Sequence, residues 1–190
     1  VPLSFEAQLE RLAALLAELK TQQNHDFAVQ IIAFDQRPEL MYEGPVSGFS
    51  TRDKANLLAR DALGASNLGA ALATLGNQIA PKSRILIVSD GVITAGQENT
   101  TALRESVARL SAHGVRRIDA LAEGGLRDEA TLSALTRSGL KSTGLVLDSR
   151  LTIQTLATKL GRATLERVRV AVPGASWSYP DALEGVQDGD

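Results

Sequence analysis

Two short loops hold the side chains of this sequence that are best suited to chemistry. Ser66 lies in the first loop, within the segment Gly64 to Leu72, and Asp90 lies in the second, at the end of an apolar run. A hydroxyl and a carboxylate are both oxygen donors, and hard divalent cations such as Mg²⁺ prefer oxygen ligands and often keep bound waters. The pair therefore indicates a cation site, provided that the fold brings the two loops together.

The residues before Asp90 predict how its carboxylate is positioned. Residues 85–88 are Ile-Leu-Ile-Val, and this run ends abruptly at Ser89, Asp90 and Gly91. A short continuous β-branched run is typical of a strand that is buried on both faces, as in a parallel sheet covered by helices. Ligands of open α/β sheets bind at the carboxyl ends of the strands, and we expect both loops to lie there.

Helical and strand patterns alternate along most of the chain. An amphipathic helix begins at Ser4, and it is followed by a strand, an edge strand, two helices and three more strands with a helix after each. This alternation predicts a doubly wound, mostly parallel α/β sheet of the Rossmann-like type. The apolar stripe predicted for the first helix is Phe5, Leu9, Leu12, Leu16 and Leu19, and the predicted strands are 27–34, 39–42, 84–89, 115–122 and 143–147.

The end of the sequence changes in character. Residues 165–172 alternate between apolar and polar, and Pro173-Gly174 makes a turn. We therefore expect a domain over residues 1–161 and, over residues 162–190, a short β appendage that starts a following β-type segment. Two side chains are interpreted structurally: Trp177 as an anchor that packs this tail onto the domain, and Arg117, with Arg116, as a solvated strand end.

Composition excludes several classes of protein. The formal net charge is -2 and there is no strongly basic block, which argues against nucleic-acid binding. No run is long and apolar enough to cross a bilayer. The sequence contains no cysteine, so disulfides and thiolate metal sites are excluded.

The two loops together resemble the von Willebrand factor type A family, of the kind found in inter-alpha-trypsin-inhibitor-like proteins. In that family a loop similar to Gly-Gly-Thr-Asp/Asn-Leu-Gly-Ala-Ala-Leu and a Ser/Thr-Asp-Gly strand end form part of a metal-ion-dependent adhesion site. Ser66 matches the threonine of the first motif, and Asp90 matches the aspartate of the second. The resemblance covers about residues 5–161, and the tail from Val168 to Pro180 resembles the segment that follows this domain.

The resemblance implies a binding module rather than an enzyme. A Mg²⁺, Mn²⁺ or Ca²⁺ ion held by Ser66 and Asp90 would accept an acidic side chain of a protein partner. It further implies a larger bacterial protein, exported or surface-associated, although the compartment stays open.

One part of the family pattern is missing. The Asp-x-Ser-x-Ser motif of the family ends its central first strand, and no residue of this sequence carries that motif. We therefore expect a bound cation only where the motif is supplied. We expect the place of the strand to be filled by residues outside the sequence, by strand exchange with a partner chain, or by the tail strand at residues 168–172, because unpaired buried backbone groups are costly.

Simpler interpretations remain open. Ser66 and Asn67 suit the N-cap of a helix, and Asp90 suits a strand-end turn or the acid of a phosphate-binding or receiver-like domain. Thr94 and Gln97 lie near the same predicted edge, where loop polarity alone accounts for them.

The alternative functions are a Rossmann-like nucleotide-binding or enzymatic domain, or a von Willebrand factor A domain with an inactive metal site. The phosphate-loop, Gly-x-Gly-x-x-Gly, His-Glu-x-x-His and Gly-x-Ser-x-Gly signatures of enzymes are absent.

Overall fold

The structure, a computed structural model, describes residues 4–60, 65–78, 83–96, 100–171, 173–174, 176–177 and 179–188. These residues form a mixed α/β fold with a parallel sheet, which confirms the predicted α/β class at that level. In chain order the elements are α1 (Phe5–Gln23), β1 (Ala28–Phe34), β2 (Pro38–Pro45), a 3-10 turn (Val46–Gly48), α2 (Thr51–Ala59), α3 (Leu68–Gln78), β3 (Arg84–Ser89), α4 (Thr100–Ala112), β4 (Arg117–Ala122), α5 (Glu129–Thr136), β5 (Val146–Asp148), α6 (Ile153–Gly161), β6 (Val168–Arg169) and β7 (Ala182–Leu183).

The parallel sheet has the order β3-β4-β5 and is covered by helices on both faces. Because successive side chains of a strand point to opposite faces, Ile85 and Ile87 pack with residues of α3, α4 and α5. Leu86 and Val88 pack on the other face, with residues of α1 and α6. The apolar run before Asp90 is therefore a strand placed between two helical layers, as its composition predicts.

Strands β1 and β2 form a separate antiparallel sheet, with a register shift between Ile31 and Ile32. Within the described residues no ladder joins β1 to β3, so the strands form three sheets rather than the single sheet that the alternation predicts. Burial changes accordingly: every residue of β4 is buried, whereas the apolar residues of β1 are at best half-buried. Among the residues that the structure describes, one edge of β1 and one edge of β3 have no ladder partner.

The tail does not fill this gap. Strand β6 pairs antiparallel with β7, and an isolated bridge joins Leu165 to Val186. Within the described residues β6 pairs with β7 and with neither β1 nor β3, so the expectation that residues 168–172 replace a missing strand is wrong. The other two ways of filling the gap stay predictions.

The contact between the tail and the domain is made by a residue other than the one predicted. Trp177 is 77 % exposed, so its interpretation as an anchor is wrong. Gln187 is buried instead, and its side-chain amide donates hydrogen bonds to the carbonyl oxygens of Lys159 and Arg162, at 2.7 and 3.3 Å. The tail is thus held by polar contacts to the end of α6.

The first helix begins where predicted, with the Ser4 hydroxyl accepting a hydrogen bond from the amide of Ala7 at 3.2 Å. Its buried face differs from the predicted stripe, because Phe5 is exposed and Leu15 is among its buried residues. Leu15 packs with α6 and the sheet. None of the helices in the described ranges has the length and apolarity needed to cross a membrane.

A buried ionic group lies at the opposite, amino end of the sheet. Arg117 is 4 % exposed, so the prediction of a solvated strand end is wrong for this residue. Its Nε donates to Asp119 Oδ1 at 2.8 Å, and Arg84 Nη2 donates to Asp119 Oδ2 at 2.8 Å. The amide of Leu145 donates to the same carboxylate at 2.9 Å, which joins the chain before β5 to β4.

Candidate functional site at the carboxyl edge of the strands

The loop before α3 is tied directly to the loop after β3. The amide of Ser66 donates to the Thr94 hydroxyl at 2.7 Å, and the carbonyl oxygen of Ser66 accepts from the amides of Thr94 and Ala95 at 3.2 and 3.3 Å. Thr94 follows Asp90 by four residues. The structure therefore brings together the two loops that carry the predicted cation ligands.

Asp90 shapes the turn in which it lies. Its Oδ1 accepts a hydrogen bond from the amide of Val92 at 3.0 Å, and its carbonyl oxygen accepts from the amide of Asp128 at 2.8 Å. Gly91 has φ +80°, a left-handed conformation that glycine adopts without strain. The second carboxylate oxygen, Oδ2, has no hydrogen-bond partner among the described residues. One carboxylate oxygen of Asp90 thus stabilises the turn by a hydrogen bond, and the other is available to a ligand.

Asn67, rather than Ser66, caps α3. Asn67 Oδ1 accepts from the amide of Ala70 at 3.0 Å, and the Asn67 amide donates to the carbonyl oxygen of Asp35 at 2.7 Å. Within the described part of the chain, the half-buried Ser66 has no hydrogen-bond partner for its hydroxyl. The capping interpretation therefore accounts for Asn67 and leaves the oxygen of Ser66 unused.

Sequence reasoning missed Asp35 as a member of this edge. Asp35 follows β1 directly and is 5 % exposed. Its carboxylate accepts from the amide of Arg37 at 2.9 Å and forms a 3.0 Å ion pair with Arg60. The rule that drew attention to Asp90, an acid directly after a strand, would also have found Asp35. Its role here is to fix the end of β1 next to the Ser66 loop.

At this edge an acidic residue directly follows each of β1, β3 and β4, and another is the last residue of β5. These residues are Asp35, Asp90, Glu123 and Asp148. Asp148 is neutralised by hydrogen bonds from Arg150 and then Arg127, which hold the pKa of its carboxyl well below the ordinary range. Across the described ranges, no three carboxylate or imidazole side chains are grouped closely enough to hold a metal ion. Metal binding at Ser66 and Asp90 would therefore need further ligands.

Two open clefts flank the paired loops. One, of about 320 Å³, lies between α3 and α4 and is lined by Asn67, Gly69, Ala73, Ser106 and Arg109 among others. The other, of about 430 Å³, adjoins the Asp90 turn, and its rim includes Leu126, which is 82 % exposed. The predicted edge residue Gln97 lies outside the described residues. The lining of the second cleft is Val92, Ile93, Leu126, Arg127, Asp128 and Thr131.

Comparison with known proteins identifies the fold and no family. No protein-family model matches the sequence, and no curated protein is similar to it. The chain is similar in structure to the conserved hypothetical protein BatB from Bacteroides thetaiotaomicron, with a TM-score of 0.56 and 13 % identity over 82 % of this chain and 87 % of that one. At this identity the similarity establishes a distant relationship of fold.

Proposed function

We propose that this chain is a von Willebrand factor A-like domain that works as a metal-ion-dependent protein-binding module. In this proposal Ser66 and Asp90 each give one oxygen to a Mg²⁺, Mn²⁺ or Ca²⁺ ion, directly or through water. The ion keeps an open position for an acidic side chain of a protein partner. The domain would belong to a larger bacterial protein, exported or surface-associated.

The observation that carries the proposal is the pairing of the Ser66 loop with the loop after β3. Hydrogen bonds between Ser66 and Thr94 hold the two loops at one edge of the strands. The hydroxyl oxygen of Ser66 and Oδ2 of Asp90 are oxygen donors of the type that Mg²⁺ prefers, and neither has a partner among the described residues. The α/β fold shared with BatB supports the proposed doubly wound topology.

Ser66 and Asp90 give fewer ligands than a hard cation needs, because Mg²⁺ is six-coordinate. The remaining positions would be taken by water, by the partner's carboxylate and by an Asp-x-Ser-x-Ser motif where one is supplied. We therefore expect a bound cation only where that motif is supplied. The role of its own residues is to hold two oxygens in place and to keep the neighbouring cleft open for the partner.

Isothermal titration calorimetry with Mg²⁺ and Mn²⁺ tests the proposal, on a longer protein that supplies the Asp-x-Ser-x-Ser motif. We expect binding to the wild-type protein, and its loss in Asp90→Asn and Ser66→Ala. Glu105→Gln is the matched control, since Glu105 is an exposed acid on α4, away from this edge. Absence of metal binding in the wild type would contradict the proposal. Binding of ATP that survives removal of metal would instead favour a nucleotide-binding domain.

A further inference from the structure

Strands β1 and β3 run in the same direction on the two sides of a gap. The carbonyl oxygen of Asp35, directly after β1, accepts a hydrogen bond from the amide of Asn67 at 2.7 Å. The neighbouring Ser66 is bonded to Thr94 in the loop after β3. The carboxyl ends of both strands therefore lie at one loop, although no ladder joins the two strands within the described residues.

The backbone groups of β3 that point into this gap belong to Leu86 and Val88. The carbonyl oxygen of Ser89 accepts a hydrogen bond from the amide of Glu123, directly after β4, at 3.0 Å. In a parallel ladder, alternate residues direct both of their backbone groups to the same neighbouring strand. Ser89 and Ile87 thus face β4. The amides and carbonyl oxygens of Leu86 and Val88 point the other way, where no described residue bonds them.

Helices cover the gap on both of its faces. On one face, Phe34 at the end of β1 packs against the same apolar cluster as residues of α3 and β3. On the other face, Leu86 and Val88 pack with residues of α1. An ion pair of 2.6 Å between Glu10 and Lys54 joins α1 to α2, which packs against β2. Helices α1 and α3 therefore extend over the gap from β3 toward the sheet of β1 and β2.

The apolar side chains beside the gap are incompletely buried. Every residue of β4, which has a ladder partner on each side, is buried. In contrast, Leu86 and Val88 of β3 and the apolar residues over 29–34 of β1 are only half-buried. A strand placed between β1 and β3 would bury these side chains and give both free edges a ladder partner. Both gains stabilise a protein, since buried apolar surface and paired backbone groups are favourable.

We infer that the gap binds an extended apolar segment of a separate polypeptide, which pairs with β1 on one side and with β3 on the other. The 190 residues supply no such segment: β6 pairs with β7, and each stretch outside the described residues is at most four residues long, whereas a strand typically has about five or six.

The position of the gap determines the chemistry of its occupant. Because helices cover both faces, the segment is apolar at successive residues rather than at alternate ones. It contains no proline, since its amides bond to strands on both sides. No metal ion takes part in this pairing, so its failure would leave the proposed function untouched.

Amide hydrogen exchange of the whole chain, measured by NMR with and without a synthetic peptide, tests this inference. The probe carries the sequence of β3, Arg-Ile-Leu-Ile-Val-Ser, between pairs of lysines, because β3 itself lies between two helical layers. We expect exchange of the Leu86 and Val88 amides to slow by at least about tenfold, and exchange within β1 to slow as well. The amides of Ile85 and Ile87, which face β4, are the internal control and are expected to change little.

A matched peptide with Ile87→Pro keeps the apolar character of the probe and loses a central amide, so we expect it to give no protection. Absence of protection by the first peptide, or equal protection by both, would overturn the inference. Protection of β3 without β1 would contradict pairing on two sides. Protection confined to β5, which also has an edge without a partner among the described residues, would show addition at the outside of the sheet instead. Protection of Leu86 and Val88 that rises with protein concentration in the absence of peptide would assign the gap to a second copy of this chain.

Discussion

The backbone amide of Ser66 and the hydroxyl of Thr94 are joined by a 2.7 Å hydrogen bond, across a separation of 28 residues. This bond, with the two amides that donate back to Ser66, joins the loop before α3 to the loop after β3. The geometry of the candidate site therefore depends on Thr94 as well as on the two proposed ligands.

Replacement of Thr94 by valine removes that hydroxyl and keeps the shape of the side chain. We expect the free energy of unfolding to fall by about 1 kcal/mol, the usual net contribution of one hydrogen bond. Urea denaturation measures the change. Thr94→Ser retains the hydroxyl and is expected to match the wild type. Equal stability of the valine and serine variants would show that the bond does not hold the loops.

Gly91 sets the direction in which the chain leaves Asp90. Its φ is +80°, and a Cβ at this position would meet the carbonyl oxygen of Asp128 and the side chain of Leu132. We expect Gly91→Ala to lower the free energy of unfolding by roughly 1–3 kcal/mol, the cost of a strained left-handed residue. Thermal unfolding of Gly125→Ala is the control, because a Cβ there meets nothing within 4 Å. A Gly91→Ala variant as stable as Gly125→Ala would contradict the argument.

The local pattern of the sequence predicts most elements of the fold, because periodicity reflects which face of an element is buried. It fails where burial depends on partners that are distant in sequence. Arg117 was expected in solvent, yet it is buried, where Asp119 balances its charge and the carbonyl oxygen of Arg162 accepts a hydrogen bond from it. Phe5 fits the stripe of α1 by spacing, but Leu15 is buried in its stead against α6 and the sheet.

The candidate site was predicted in outline from two motifs. The sequence places Asp90 at a strand end, and it does not show that Thr94 would join the two loops or that one oxygen of Asp90 would hold its own turn. Within the described residues β1 and β3 do not pair with each other. This depends on the order of the strands in space, which the local alternation of residues does not encode. Prediction of Trp177 as an anchor failed because aromatic character alone does not identify a contact.

Asp119 accepts hydrogen bonds from two arginines and one backbone amide in the buried group of β4. Asp119→Asn would leave the buried Arg117 without its anion, and burial already lowers the pKa of this guanidinium. We expect the free energy of unfolding to fall by about 3–5 kcal/mol in chemical denaturation, as when one partner of a buried pair is removed.

Two comparisons control this prediction. The double variant Arg117→Met/Asp119→Leu removes both charges and is expected to lose less stability than Asp119→Asn. Glu10→Gln breaks the exposed ion pair with Lys54 and is expected to change stability by less than about 1 kcal/mol. Equal losses of stability in Asp119→Asn and Glu10→Gln would contradict the expectation that the buried ion pair of Arg117 and Asp119 matters more than an exposed one.

Asp128 caps α5, and its carboxylate accepts hydrogen bonds from the amide and the hydroxyl of Thr131 at 3.0 and 2.7 Å. The backbone hydrogen bond from Thr131, followed by its hydroxyl, lowers the pKa of Asp128 below the ordinary value. A carboxyl whose pKa is lowered by folding stabilises the protein above its unfolded value, about 3.9, and that contribution is lost as the pH falls through the folded value.

We therefore expect wild type to be more stable than Asp128→Asn near neutral pH and to lose this advantage as the pH falls below about 4. Asparagine keeps a capping oxygen and does not titrate, so the comparison isolates the charge. Urea denaturation over a series of pH values measures the difference. If the stability difference between wild type and Asp128→Asn stays constant down to strongly acidic pH, the lowered pKa of Asp128 does not stabilise the fold.

The gap between β1 and β3 predicts a specific pattern of amide hydrogen exchange. Along β3, successive amides point alternately toward β4 and toward the gap, so only every second amide over residues 85–88 has a ladder partner. In β4, residues 120–122 lie between β3 and β5 and are paired on both sides. We expect alternate fast and slow exchange in β3 and uniformly slow exchange in that part of β4, measured by NMR. Uniformly slow exchange along β3 would show instead that its free edge is covered, either by β1 or by another strand.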